Sequence, residues 1–217
     1  MHKKNISAPV IKRLPRYYRF LGELLDKGIS RISSRELSDK MGFSASQIRQ
    51  DLNCFGGFGQ QGFGYPVEGL YNEIGRILGL ENCYNAILIG AGNLGKAVAV
   101  HMSFEQRGFR LIGIFDNDPA KINTTIRNIR VFDTDELEAF CKENKTDAAI
   151  LCVPKTAAHE IADRLYNIGI RNYWNFSHYD LSINYNDIIV ENVHLNDSLM
   201  ILCYKISDAN DPSDQNE

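Results

Sequence analysis

The chain has 217 residues, 44% of them hydrophobic and 24% charged, with a formal net charge of -3. That balance is ordinary for a soluble globular protein, and the length allows one large domain or two smaller ones. The charge is uneven. Residues 1–80 carry 12 Lys and Arg against 7 Asp and Glu, whereas residues 81–217 carry 12 against 20, so a polyanion partner would dock on the basic front. The five cysteines, Cys54, Cys83, Cys141, Cys152 and Cys203, are odd in number and include no Cys-x-x-Cys pair. That pattern argues against a disulfide framework or a zinc site and fits the reducing cytoplasm. No run of about 18 apolar residues is present to span a membrane, and no signal-peptide core follows Met1.

In chain order, Ser7 with Pro9 opens a helix on which Ile11, Leu14, Tyr18, Leu21 and Leu25 recur at helical spacing, with a break or kink at Pro15 and an end at Gly28. Ser33-Ser34-Arg35-Glu36 fits a capping box, opening a short helix that stops at Gly42. A second box of the same form, Ser44-Ala45-Ser46-Gln47, opens a helix running to about Cys54. Two capped helices this close make a helix-turn-helix, whose second member reads DNA. Ile48 and Leu52 face its core, leaving Ser46, Gln47, Arg49, Gln50 and Asn53 outward. The glycine-rich segment 55–67 cannot be helical; Phe63, Tyr65 and Val67 alternate as in one strand of a hairpin, the wing of a winged helix. A helix over Glu68–Leu78, with Leu70, Ile74 and Ile77 on one face, leads onward.

From Asn85 strands alternate with helices, the mark of a parallel sheet covered on both faces. Strands are predicted at Ala86–Ile89, Leu111–Phe115, Ile129–Phe132, Ala148–Val153, Asn172–Phe176 and Asp187–Val190. Helices are predicted at Gly95–Ser103, Asp135–Lys142, Thr156–Asn167 and His194–Ile206, the last with Leu195, Leu199, Leu202 and Ile206 on one stripe. The α/β chain thus reads as a winged helix-turn-helix domain over 1–80, a Rossmann dinucleotide-binding domain over 81–193, a helix over 194–207 and a disordered acidic tail over 208–217.

Gly-x-Gly-x-x-Gly occurs twice, and its context decides which match has meaning. Gly57-Phe-Gly59-Gln-Gln-Gly62 follows a helix and runs into Pro66, so the wing reading stands. Gly90-Ala91-Gly92-Asn93-Leu94-Gly95 follows an apolar strand and opens a helix. There Gly90 permits the bend, Gly92 admits a pyrophosphate and Gly95 lets helix and strand close up. Asp116, 21 residues beyond Gly95, stands where a carboxylate accepts bonds from the adenosine ribose hydroxyls. With no arginine near it, NAD(H) is preferred over NADP(H). A flavodoxin-like or CoA-binding domain reusing a glycine turn is the bland alternative.

Catalysis is not expected. His2, His101, His159, His178 and His194 have no Lys or Asp companions of dehydrogenase type, and about 120 residues leave little chain for a substrate domain. The alternatives are a small NAD-dependent oxidoreductase with an accessory N-terminal domain, and a DNA-binding regulator whose Rossmann domain is a scaffold without ligand. Cys152 ends a strand beside the presumed crevice.

Three motifs make the chain similar to the Rex family of redox-sensing transcriptional repressors, over essentially everything up to Ser207. They are Ser46–Leu52 running into the segment 55–65, Gly90–Gly95 with Phe115-Asp116-Asn117-Asp118-Pro119, and Val190-Glu191-Asn192-Val193 before the final helix. The resemblance implies a homodimer exchanging C-terminal helices. It also implies repression of NADH re-oxidation genes when NADH is scarce, and release from operator DNA when NADH binds. It places DNA contacts on Ser46, Gln47, Arg49 and Gln50 in the helix and Gln60, Gln61 and Tyr65 in the wing. It places NADH against the glycine loop, Asp116, His101, Val153 and Pro154. Gln50 and Gln60-Gln61 stand where the family often has basic residues, which lowers the expected salt dependence. His101 replaces a usual tyrosine and His194 a usual aspartate, so Arg19 cannot form the family's ion pair at that position. Asn175-Phe176-Ser177-His178 lacks a usual proline.

Overall fold

The computed structural model describes residues 6–54 and 64–210, and the chain divides into two compact units, residues 1–82 and 83–217. The first unit runs α1 (Ala8–Asp26), β1 (Arg31–Ile32), α2 (Ser34–Met41), α3 (Ala45–Asn53), β2 (Tyr65–Pro66) and α4 (Val67–Leu78). α1 passes through Pro15 without ending, the ring lying on its exposed side. The buried stripe of α1 is Val10, Leu14, Tyr17, Leu21 and Leu24, rotated from the expected one, and Ile11 is 46% exposed. The rotation turns the Tyr17 hydroxyl inward, where it donates to Asp51 at 3.0 Å.

The first capping box forms as expected: Ser33 Oγ accepts from the Glu36 amide, and the Glu36 carboxylate accepts from the Ser33 amide. The second forms only by half. Ser44 Oγ accepts from the Gln47 amide, but the Gln47 side chain donates to Asp51 Oδ1 at 2.8 Å instead of reaching back. Asp51 is the reason. Its carboxylate is fully buried and also takes two bonds of 2.7 Å from the Arg13 guanidinium. β2 shortens the expected wing strand. Tyr65 and Pro66 pair antiparallel with Ile32 and Arg31 of β1, and Val67 already begins α4. The segment 55–63, with Gln60 and Gln61, lies outside the described residues.

The second unit is β3 (Tyr84–Ile89), α5 (Asn93–His101), β4 (Phe109–Asp116), β5 (Thr125–Ile126), β6 (Ile129–Asp133), α6 (Leu137–Glu143), β7 (Ala148–Leu151), α7 (Lys155–Asn167), β8 (Asn172–Asn175), β9 (Ile189–Asn192) and α8 (Leu195–Ala209). The sheet order is β5-β6-β4-β3-β7-β8-β9, parallel except where β5 runs against β6. β5 escaped the sequence reading because its hairpin turns on Arg127 and Asn128, both at positive φ, and contains no glycine to signal the turn. One sheet face packs Ile87, Ile89 and Leu151 against Ile161, Ala162 and Leu165 of α7. The other packs Leu88, Ile114 and Val131 against Val98 and Ala99 of α5. Strand order reverses at β3, and in open parallel sheets the crevice at such a point binds ligands.

Among the described residues, α8 carries no buried side chain. Leu195, Leu199, Leu202 and Ile206 stand half to two-thirds exposed.

Burial by itself would raise the Asp51 pKa. The hydrogen bonds from Arg13, Gln47 and Tyr17 outweigh burial and hold it below the usual carboxylate range. The unfolded chain therefore takes up this proton at higher pH than the folded one. The stabilisation is complete above about pH 4 and is lost as the pH falls through the lowered folded value. Asp51→Ala is expected to cost about 2–3 kcal/mol, because it strands the Tyr17 hydroxyl and a partly exposed guanidinium. Urea melts at pH 7 measure that cost. Thermal melts from pH 6 to pH 2.5 should show wild type and Asp51→Asn converging at the acid end.

Candidate dinucleotide cleft and DNA-facing helix

The glycine loop leaves β3 at Ile89, and two of its glycines are dictated by the fold. Gly90 has φ +99°, and a Cβ there would stand 2.6 Å from the Cys152 carbonyl oxygen. A Cβ on Gly95 would stand 1.8 Å from the Gly90 carbonyl oxygen, so α5 starts in contact with the end of its own strand. Gly92 is different. It has φ -72°, and a Cβ there would meet nothing within 4 Å. The fold does not require this glycine, whereas a phosphate approaching the backbone does. Gly92 also begins α5 without any side-chain cap, which leaves the first amides and the positive end of the helix dipole for an anion.

These features open on a cleft of about 760 Å³ lined by Gly90, Gly92, Asn93, Leu94, Asp116, Asn117, Lys121, Cys152, Val153, Pro154 and Phe176, with Arg164 and Glu160 further along. The structure therefore brings together the glycine loop, Asp116, Val153 and Pro154. The residues present fit a dinucleotide: an open backbone site for the pyrophosphate, a carboxylate beyond it, and the apolar Val153, Pro154 and Phe176. His101 is not among the lining residues. It is exposed on the last turn of α5, about 13 Å along the helix from Gly92 at 1.5 Å per residue.

Asp116 ends β4 and is largely buried. Its Oδ2 accepts from the Ala91 amide at 2.7 Å, which clasps the glycine loop to the neighbouring strand, and its Oδ1 accepts from the Asp118 amide at 2.9 Å. The sequence reading missed its third partner. Lys121 Nζ lies 3.2 Å from Asp116 Oδ2 and 3.3 Å from Asp118 Oδ2, so a cation does sit beside the carboxylate expected to meet the ribose. The Asp118-Pro119 turn folds residue 121 back, and no spacing rule in the sequence announces it. Burial pushes the Cys152 thiol up to about 12, leaving it protonated and inert at neutral pH.

Past β8, the rings of His178 and His194 stack with centroids 5.3 Å apart and Nδ1 atoms 3.3 Å apart. One ring donates to the other, and His178 holds φ +56°. Among the described residues no carboxylate lies within 4 Å of a ring nitrogen of either histidine. His159 instead meets the Tyr179 hydroxyl and, at 3.6 Å, Asp163.

In the first unit, α2 and α3 form the helix-turn-helix. Ser46, Arg49 and Gln50 are exposed on α3, with Arg49 Nη1 donating to Ser34 Oγ at 3.2 Å. Gln47 is half-buried and tied to Asp51. Tyr65 departs from its expected place on a contact surface: its ring belongs to the core and is 8% exposed, because β2 returns it against β1.

Two family models match along the chain: "Putative DNA-binding protein N-terminus" over residues 5–53, and "CoA binding domain" over residues 81–179. The redox-sensing transcriptional repressor Rex of Clostridioides difficile (strain 630) is 54% identical over 206 residues, covering 95% of this chain and 98% of that protein. The Thermoanaerobacter pseudethanolicus Rex is 55% identical over 206 residues, covering 95% and 92%. The chain belongs to the Rex family of redox-sensing transcriptional repressors. Two solved structures of the Rex-family repressor RSP share its fold. RSP in complex with beta-NAD+ and operator DNA has a TM-score of 0.86 and 55% identity, covering 95% of each chain. RSP in complex with beta-NADH has a TM-score of 0.85 and 51% identity, covering 95% of this chain and 97% of that one. A CoA-binding family model over 81–179 marks the shared Rossmann-like fold; the Rex relatives, named as transcriptional repressors, cover both units, which gives the chain a regulatory family.

The two kinds of glycine should separate experimentally. Gly95→Ala is expected to destabilise this Rex-family chain by about 3 kcal/mol or more, since the clash is with backbone. Gly92→Ala should melt within about 1 kcal/mol of wild type and lose NADH affinity by about tenfold or more. Chemical denaturation and NADH fluorescence titration on both variants distinguish the two effects.

Proposed function

We propose that this chain is a transcriptional repressor that binds operator DNA as a homodimer and leaves it when NADH fills the cleft of the second unit. The observation that carries this reading is Gly92, an open backbone position at an uncapped helix start, beside a carboxylate that ends the next strand. The relatives with NADH, NAD+ and operator DNA support the same ligands here. NADH is neutral at its nicotinamide ring where NAD+ is cationic, so the apolar wall of Val153 and Pro154 favours the reduced form.

In the DNA-facing unit, Ser46, Arg49 and Gln50 present donors and acceptors to the major groove, with Gln47 adjacent and Gln60 and Gln61 in the following segment. Arginine reads guanine and glutamine reads adenine. Tyr65 supports that surface from within the core. The exposed stripe of α8, Leu195, Leu199, Leu202 and Ile206, is the dimer contact, covered by a second copy of the chain. Among the described residues no helix is long and apolar enough to cross a membrane, and we place the protein in the cytoplasm with its DNA.

The coupling is reciprocal: whatever factor NADH takes from DNA affinity, DNA takes from NADH affinity. A ligand that fits both arrangements of the dimer equally would shift nothing. The test is fluorescence anisotropy of a labelled Rex-family operator duplex, with NADH and NAD+ titrated separately. NADH should release the duplex at concentrations where NAD+ does not. Indifference to both ligands would overturn the redox-sensing reading, and NADH oxidation at enzymic rates with a small carbonyl compound would overturn the regulatory one.

A further inference from the structure

Asp116 is the residue by which a Rossmann site ordinarily selects NADH over NADPH, since a carboxylate accepts from the ribose hydroxyls and repels a 2'-phosphate. Here that carboxylate is already engaged. Oδ2 accepts from the Ala91 amide and from Lys121, while Oδ1 accepts from the Asp118 amide and again from Lys121, at 3.4 Å. A carboxylate offers about four lone-pair positions, so a ribose hydroxyl can bond Asp116 only by taking the place of the ammonium. Displaced, Lys121 stays at the same edge of the cleft, which it lines with Asp116 and Asn117, and remains tied to Asp118.

We propose that Lys121 is a masked 2'-phosphate site, and that discrimination between NADH and NADPH is set by the Asp116–Lys121–Asp118 cluster as a whole. With two carboxylates and one ammonium the cluster carries net charge -1 and repels a phosphate. Removing either carboxylate charge brings it to zero and leaves the Lys121 ammonium with one carboxylate partner instead of two. The ammonium is firmly charged: burial works against it, but the two neighbouring carboxylates outweigh burial and raise its pKa. This inference rests on the reading that the cleft binds NADH, and wild-type NADH binding is its internal control.

The experiment measures NADH and NADPH binding by fluorescence titration for wild type, Asp118→Asn, Asp116→Asn, Lys121→Gln and the two double variants with Lys121→Gln. Asp118 is partly exposed and makes no bond to the glycine loop, so Asp118→Asn tests the proposal even where Asp116→Asn, which disturbs the Ala91 clasp, does not fold. Each Asp→Asn change should move the NADPH-to-NADH affinity ratio toward NADPH by about tenfold, and Lys121→Gln should abolish that gain. A gain that survives without Lys121, or no gain in Asp118→Asn while NADH still binds, would overturn the proposal. Absence of NADH binding to wild type would instead remove the reading on which it stands.

Discussion

The second unit depends on one contact: the start of α5 against the Gly90 carbonyl, at a distance that admits no Cβ on Gly95. Helix and strand have to meet this closely for the chain to turn at Gly90 and run back along the sheet. Once they do, the first amides of α5 point across the end of the sheet with no side chain to cap them. The Asp116 clasp on Ala91 then fixes the loop from the neighbouring strand. The anion-binding end of the helix is therefore a by-product of how tightly the crossover packs, and the reversal of strand order at β3 leaves open space in front of it.

The DNA-facing unit is organised around a buried charge. Asp51 sits on the recognition helix, yet it points inward and is bonded by Arg13 and Tyr17 of α1. A buried carboxylate is costly unless its bonds are complete, so these bonds fix the rotation of α3 relative to α1. They thereby decide which residues of α3 face out. Gln47 is drawn partly inward by the same group, which leaves Ser46, Arg49 and Gln50 as exposed residues of α3.

Much of this was legible in the sequence because it is local. Serine caps, a glycine loop between strand and helix, and an apolar stripe on α8 each express short-range geometry. What escaped was set at longer range or by unusual chemistry. The α1 partners of Asp51 lie 34 and 38 residues away, and no periodicity marks an aspartate that faces the core. Tyr65 alternates like a wing strand but pairs with β1, more than 30 residues earlier. Lys121 reaches Asp116 only because the Asp118-Pro119 turn doubles back, so the cation beside that carboxylate is a lysine and not the arginine whose absence the sequence shows. Likewise Arg127-Asn128 turns β5 without the glycine that usually signals a hairpin.

The apolar helix α8 has a consequence for the amount of protein as well as its shape. If the fifteen-residue α8, whose large side chains are exposed among the described residues, is covered by a second copy as proposed, its packing comes from association. Mass action then enters the folding equilibrium, and thermal stability becomes a function of how much chain is present. Dilution would weaken the protein before it weakened any single contact within it.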